Sequence, residues 1–240
     1  MYNLLIALAL GLPLAIPAGV FFGVWAAILP QVVVSVGAYL WLARRTTQKL
    51  QGIIERATTE FQANRIQQGI TLLEQGYVLQ HWQFLVRSQL DAQIGSIYFM
   101  MKKYDKAKPL LENAIRNNPI ARGMLACIQF RKHQLDLATG TLEEALKYTK
   151  KEALLYGLYA YLLSKANRRD DAIDVLNRGL AKLPDNDGLQ QARLSLQNGQ
   201  KMRTKGFGDG WYQFGLEQPT KASRTQRPLG RSGKVPRGMR

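Results

Sequence analysis

The chain has 240 residues, 46% of them apolar and 21% charged, which is enough for one or two folded domains. Its 33 basic and 17 acidic side chains leave a formal charge of +16, and none of them lies between Met1 and Ala43, so the excess is concentrated in the rest of the chain. A lone Cys127 excludes an internal disulfide, and with only His81 and His133 the usual Cys/His zinc set cannot be assembled. No metal or cofactor is expected.

The uncharged run from Met1 to Ala43, ended by Arg44 and Arg45, predicts a membrane anchor of one or two helices over 1–43. A span needs about 20 apolar residues, so two short spans fit this length better than one. The second is placed at about Val24 to Leu42. Its Trp25 and Trp41 are then separated by roughly 24 Å, close to the distance between the two interfaces. Pro30 would kink that helix without ending it. The first arm, Tyr2 to about Ala18, is a full span, a re-entrant segment or a cleaved signal, and the absence of a basic start counts against the signal. Arg44, Arg45, Lys49 and Arg56 follow the second span. Basic flanks stay on the cytoplasmic side, which places the remainder of the chain in the cytoplasm beside an inner membrane.

Over 44–87, Leu50, Ile53, Ile54, Ala57 and Phe61 recur at helical spacing, and so do Ile66, Ile70, Leu73, Tyr77 and Leu79. Gly69 and Gly76 offer small residues where the two helices would approach each other. Trp82 and Phe84 read as packing residues in the connection that follows.

From Ser88 to Pro184 one pattern is written three times. Aligning Ala107, Ala138 and Ala172 also aligns Leu111, Leu142 and Leu176, and then Ala114, Ala145 and Gly179. Gly95 and Tyr98 precede the first copy, Leu125 and Ala126 the second, Tyr156, Tyr159 and Ala160 the third, and Pro119 and Pro184 stand at exits. A period near 34 residues holding two amphipathic helices resembles the tetratricopeptide repeat (TPR). The resemblance implies an all-α helical solenoid over 88–199. It would hold about three clear repeats, a degenerate one ahead of them over 44–87, and a capping helix at Leu189 to Leu196. Gly95, Tyr98, Ala107, Ala114, Pro119, Ala138, Ala145, Ala160 and Ala172 would then be packing residues, because small side chains at helix crossings let the helices approach closely.

The same resemblance implies a concave groove lined by the first helix of each repeat. Phe99, Met100, Phe130 and Tyr161 would give it apolar contact area, and Arg131 and Lys165 would pair with carboxylates of a partner protein or peptide. Gln89, Ala92, Ser96, Gly123, Cys127, Leu154 and Gly157 share that face. Chaperone-tail-binding members of the family carry lysines and an asparagine where this chain has Ala92, Ser96, Gly123, Cys127 and Gly157, so that partner class does not fit. The competing reading is that these side chains only pack against one another.

Residues 200–219 gather Phe207, Trp211, Tyr212 and Phe214 among Gly206, Gly208, Gly210 and Gly215, which predicts an ordered clip folded onto the last repeat or the membrane surface. The stretch fails the dinucleotide fingerprint, since Trp211 stands where the third glycine belongs. Residues 220–240 hold Lys221, Arg224, Arg227, Arg231, Lys234, Arg237 and Arg240 and no acid, which predicts a disordered basic tail. Its uses are anionic lipid first, RNA or the ribosome second, and simple solubilisation third. No nucleophile, base and orienting group are spaced for catalysis, and no phosphate-cradling loop with a lysine appears. The expectation is a non-enzymatic, membrane-tethered scaffold that takes no small-molecule substrate, with an RNA-contacting protein acting through its tail as the alternative.

Overall fold

A computed structural model describes residues 2–10, 12 and 24–218. Among these residues every regular element is helical and there is no strand. Residues 2–10 form α1. They are followed by α2 (Val24–Gln62), α3 (Ile66–Gln75), a 3₁₀ segment (Gly76–His81), α4 (Val86–Met100), α5 (Tyr104–Asn113), α6 (Pro119–Arg131) and α7 (Leu135–Tyr148). Next come α8 (Ala153–Lys165), α9 (Arg169–Leu180) and α10 (Asp187–Gln197), and then 3₁₀ turns at Lys205–Phe207 and Asp209–Phe214. The chain divides into two compact units, Met1–Lys150 and Lys151–Arg240.

One turn is built again and again. At Asn64, Lys102, His133 and Asn167, and at Gly199, the backbone takes positive φ, between 59° and 71°. The residue after each donates its N–H to a carbonyl five positions back: Arg65 to Glu60, Lys103 to Tyr98, Gln134 to Gln129, Arg168 to Leu163 and Gln200 to Ser195, all at 2.9 or 3.0 Å. This is a Schellman closure, which satisfies carbonyls that the end of a helix would otherwise leave open and turns the chain back on itself. It ends α2, α4, α6, α8 and α10. The first four continue into a partner helix that packs back on them, giving the pairs α2–α3, α4–α5, α6–α7 and α8–α9.

Counting from these turns puts the small residues in register. Gly69, Ala107, Ala138 and Ala172 each donate their N–H to the residue four back, just after the turn. All four are buried, and so are Leu73, Leu111, Leu142 and Leu176 four positions on, and Gly76, Ala114, Ala145 and Gly179 three further. On the first helices Ala57, Gly95, Ala126 and Ala160 hold the equivalent place, also buried. The α2–α3 pair therefore follows the same packing scheme as the other three.

In the first unit α2 is a single helix that passes Pro30 and the Arg44–Arg45 pair without a break, so the expected boundary at Ala43 falls inside an element. The core beyond it joins Leu50, Ala57, Ile70, Leu73, Val86, Leu90, Ile94 and Ile97. α1 lies against α2. The Asn3 amide donates to Thr46 Oγ1 at 3.0 Å, and the Tyr2 ring meets Trp82 edge-on at 5.6 Å. Both α1 and the upper part of α2 expose apolar side chains, among them Leu5, Leu8, Leu10, Val33 (68%), Val36, Leu40 and Trp41 (62%).

Among the described residues no helix is long and apolar enough to cross a membrane. The expected second span lies partly outside the residues whose side chains are described, and the run from Gln31 to Arg44 is shorter than a span requires. Pro13 and Pro17 of the first arm also lie outside the described residues. Phe84 is not the packing residue that the sequence suggests. It is 71% exposed, because the turn after the 3₁₀ segment carries it away from α4, and Trp82 is also exposed.

In the second unit α8 and α9 pair, and α10 packs on both. Asn186 caps α10 by accepting the Leu189 N–H at 3.0 Å. After the Gly199 turn no further helix forms. The chain instead runs back across α10 and α8 as the two 3₁₀ turns, burying Trp211 and Phe214 completely.

Candidate partner-binding faces

The first helices of the repeats carry the residues expected to meet a partner, and the structure separates them sharply. In the first unit α4 and α6 are neighbours. At their C-terminal ends Met100 is 61% exposed, Arg131 is exposed and Phe130 half-buried. Phe99 is a correction. It is only 3% exposed, because one residue on from Tyr98 the helix carries it inward, where it meets the Tyr104 ring edge-on at 5.5 Å. Tyr104 also lies under the Arg131 guanidinium, 5.3 Å from the ring centroid. Beside it the ammonium of Lys132 pairs with Asp105 at 2.9 Å. Tyr104 thus joins the end of α4 to the end of α6. Reading only the first helices misses it, since it is the opening residue of a second helix.

Further back along the same face there is little room. Ala92, Gly123 and Cys127 are buried, so the apolar part of this face is packed and the accessible part is its rim. Burial pushes the Cys127 thiol well above its ordinary range, against a weaker opposite pull from Arg131. Such a thiol is a small core residue rather than a nucleophile. Gly95, Ala107, Ala114, Ala138 and Ala145 are all interior in this unit, whereas Tyr98 and Pro119 are half-buried. Pro119 is the first residue of α6, behind the cap Asn118, whose side chain accepts the Ala121 N–H at 3.1 Å. The Arg122 guanidinium, itself nearly buried, donates to the Ala114 carbonyl at 3.1 Å and so closes the open end of α5.

In the second unit the corresponding face of α8 is covered by the chain itself. Tyr161, expected to be open to a partner, is 6% exposed and meets the Trp211 ring edge-on at 5.2 Å. The Phe207 ring fills a notch at Gly157, where a Cβ would come within 2.4 Å of it. Leu154 lies against Gly210, at 3.5 Å from the place of a Cβ there. Phe207 and Trp211 stack at 5.3 Å. The backbones of Gly206 and Gly188 touch so closely that a Cβ on either would collide with the other. Glu217 ties the segment together by accepting from Trp211 Nε1 at 3.0 Å and from the Thr204 hydroxyl. Ser195 Oγ receives the Arg203 N–H at 3.0 Å. Of the residues assigned to this face only Lys165 remains exposed, with its ammonium 5.2 Å from the Tyr161 ring centroid. Ala160 and Ala172 are fully buried.

Lys221, Arg224, Arg227, Arg231, Lys234, Arg237 and Arg240 lie outside the described residues. Among the described residues no group of His, Cys, Asp and Glu side chains is disposed to hold a metal ion. No family model matches this chain, and neither a curated protein nor a solved structure matches it.

Proposed function

We propose that this chain is a non-enzymatic scaffold of the inner membrane. In this reading a tetratricopeptide-like array of helix pairs, held at its N-terminal end by an apolar hairpin, presents the first-helix rim of its first unit to a partner protein on the cytoplasmic side. The observation that carries the reading is the recurrence of one Schellman turn with the same buried small residues behind it, at Gly69, Ala107, Ala138 and Ala172. Helix pairs that pack on sequential neighbours, as α2–α3, α4–α5 and α6–α7 do within the first unit, make a stack, and stacks of this kind work through their surfaces.

The rim around Met100, Phe130 and Arg131 supplies the contact chemistry. Met100 is an exposed, adaptable apolar side chain, and Arg131, held over Tyr104, is an oriented cation suited to an acidic side chain beside an apolar one. The membrane part of the reading is supported by the uncharged run to Ala43 and by the apolar surface on α1 and α2. Exposed patches of that kind mark lipid or protein contact.

Cross-linked pull-down from membranes tests the proposal. The double substitution Met100→Glu with Phe130→Glu should abolish recovery of the partner while leaving the helical circular dichroism unchanged. Recovery at the wild-type level would remove this rim from the reading.

A further inference from the structure

The second unit ends in half a repeat. α10 has the buried Ala192 at the place of Ala160 and closes with the same turn, at Gly199. A second helix should follow. The segment that does follow makes its main contacts with α10 and α8, both of which are first helices. The chain therefore returns over the face by which such an array would receive a ligand.

The manner of contact is that of a bound peptide. Phe207 enters a recess that exists only because Gly157 lacks a side chain, and Trp211 seats on Tyr161. Gly208, at φ 69° and ψ −162°, and Gly215, at φ 61°, give the segment bends that an L side chain resists. The segment makes no helix longer than a 3₁₀ turn, and the Glu217 carboxylate holds it closed across Thr204 and Trp211.

We infer that the inner face of α8 and α10 is a peptide-receiving surface already occupied by its own ligand, residues 204–217. A segment presenting an aromatic ring to Gly157 and a second one to Tyr161, spaced by glycine, can occupy it only by displacing that resident. The inference rests on the reading of first-helix faces as receiving surfaces. A tethered ligand competes at an effective concentration on the order of millimolar, so the wild-type surface excludes any weaker peptide supplied in solution.

The test uses the full chain and a fluorophore-labelled synthetic peptide of residues 204–217. The variant Phe207→Ser with Trp211→Ser disarms the resident segment and leaves α8 and α10 intact. Fluorescence anisotropy should report peptide binding to this variant at least about tenfold tighter than to the wild type. Adding Gly157→Leu to the variant fills the notch and should abolish that binding with helical content retained. Failure of the disarmed variant to bind the peptide would overturn the inference. So would loss of its helical signal, since the segment would then be an inseparable part of the core. No cellular partner enters this assay, so its failure leaves the pull-down on Met100 and Phe130 standing, and the reverse also holds.

Discussion

A Cβ placed on Gly95 would stand 3.0 Å from Leu111 Cγ and 3.1 Å from Leu110 Cβ, both on the helix that packs against it. At Gly140, inside α7, nothing lies within 4 Å. The two glycines should therefore respond in opposite directions. Gly95→Val forces the α4–α5 pair apart and should cost about 1 to 3 kcal/mol by overpacking. Gly140→Ala removes only the entropy of a flexible helix position and should stabilise by about 0.5 to 1 kcal/mol. Urea denaturation followed by circular dichroism measures both. An equal response at the two sites would mean that the tight α4–α5 crossing does not contribute to stability. Gly95 lies against Leu110 and Leu111 of α5, and its type and distance from Ala107 are local information that the sequence carries. The sequence could not separate Phe99 from Met100. They are adjacent and equally apolar, and only the direction of the helix toward Tyr104 decides which one is inside.

At the scale of elements the turns define the repeat more sharply than the periodic apolar residues do. The uneven spacing of 31 and 34 residues between the aligned alanines has a local cause. α5 stops at Asn113, with Ala114 already extended at φ −62° and ψ 149°, whereas α7 continues to Tyr148. Asn118 must be extended before Pro119, and this leaves α5 no room for another turn. The α2–α3 pair was recognisable in sequence only as a degenerate copy, since glycines replace two of its alanines and Phe61 fills the space over Gly69. Its turn at Asn64 has the same geometry as those at Lys102, His133 and Asn167.

Four of the five turns place a residue other than glycine in the left-handed region, and the strain differs among them: Lys102 is poorly suited to it, whereas Asn64 and Asn167 tolerate it better. Relieving the left-handed penalty of about 1 to 2 kcal/mol should outweigh the lost backbone entropy. Lys102→Gly is therefore expected to raise stability by roughly 0.5 to 1 kcal/mol, with a smaller gain for Asn167→Gly, both read from the urea midpoint. A fall in stability at Lys102 would show that its side chain contributes more than its backbone conformation costs. The aromatic clip lies at the opposite limit of legibility. Its composition announced burial, but the recess that receives Phe207 is made by Gly157, far away in the chain and unremarkable in its own helix.

For the molecule as a whole, charge and apolar surface are divided along the chain, and the proposed membrane anchoring carries an expected orientation with it. Every charged residue lies after Ala43, and the first of them are Arg44 and Arg45, in the middle of α2, with Arg45 5.8 Å from the Trp41 ring. An arginine beside a tryptophan at the end of an apolar stretch suits an interface, where the ring lies among headgroups and the cation meets phosphate. Trp82 and Phe84 are exposed near the same level, since Tyr2 packs on Trp82 and Asn3 is bonded to Thr46, just past that arginine pair. If the hairpin inserts as this arrangement suggests, both helical units face the cytoplasm. Trypsin added to inverted inner-membrane vesicles should then cut the basic tail, at Lys221 and Arg224 among other sites, while intact spheroplasts protect it. Replacing Arg44 and Arg45 together by Glu should weaken membrane retention, because each basic residue near an anionic leaflet contributes about 1 kcal/mol of attraction. High salt should narrow the difference between the variant and the wild type, as screening weakens the attraction that Arg44 and Arg45 supply. Cleavage of the tail in spheroplasts would reverse the orientation, and retention of the variant indistinguishable from wild type would assign the anchoring to the apolar hairpin alone.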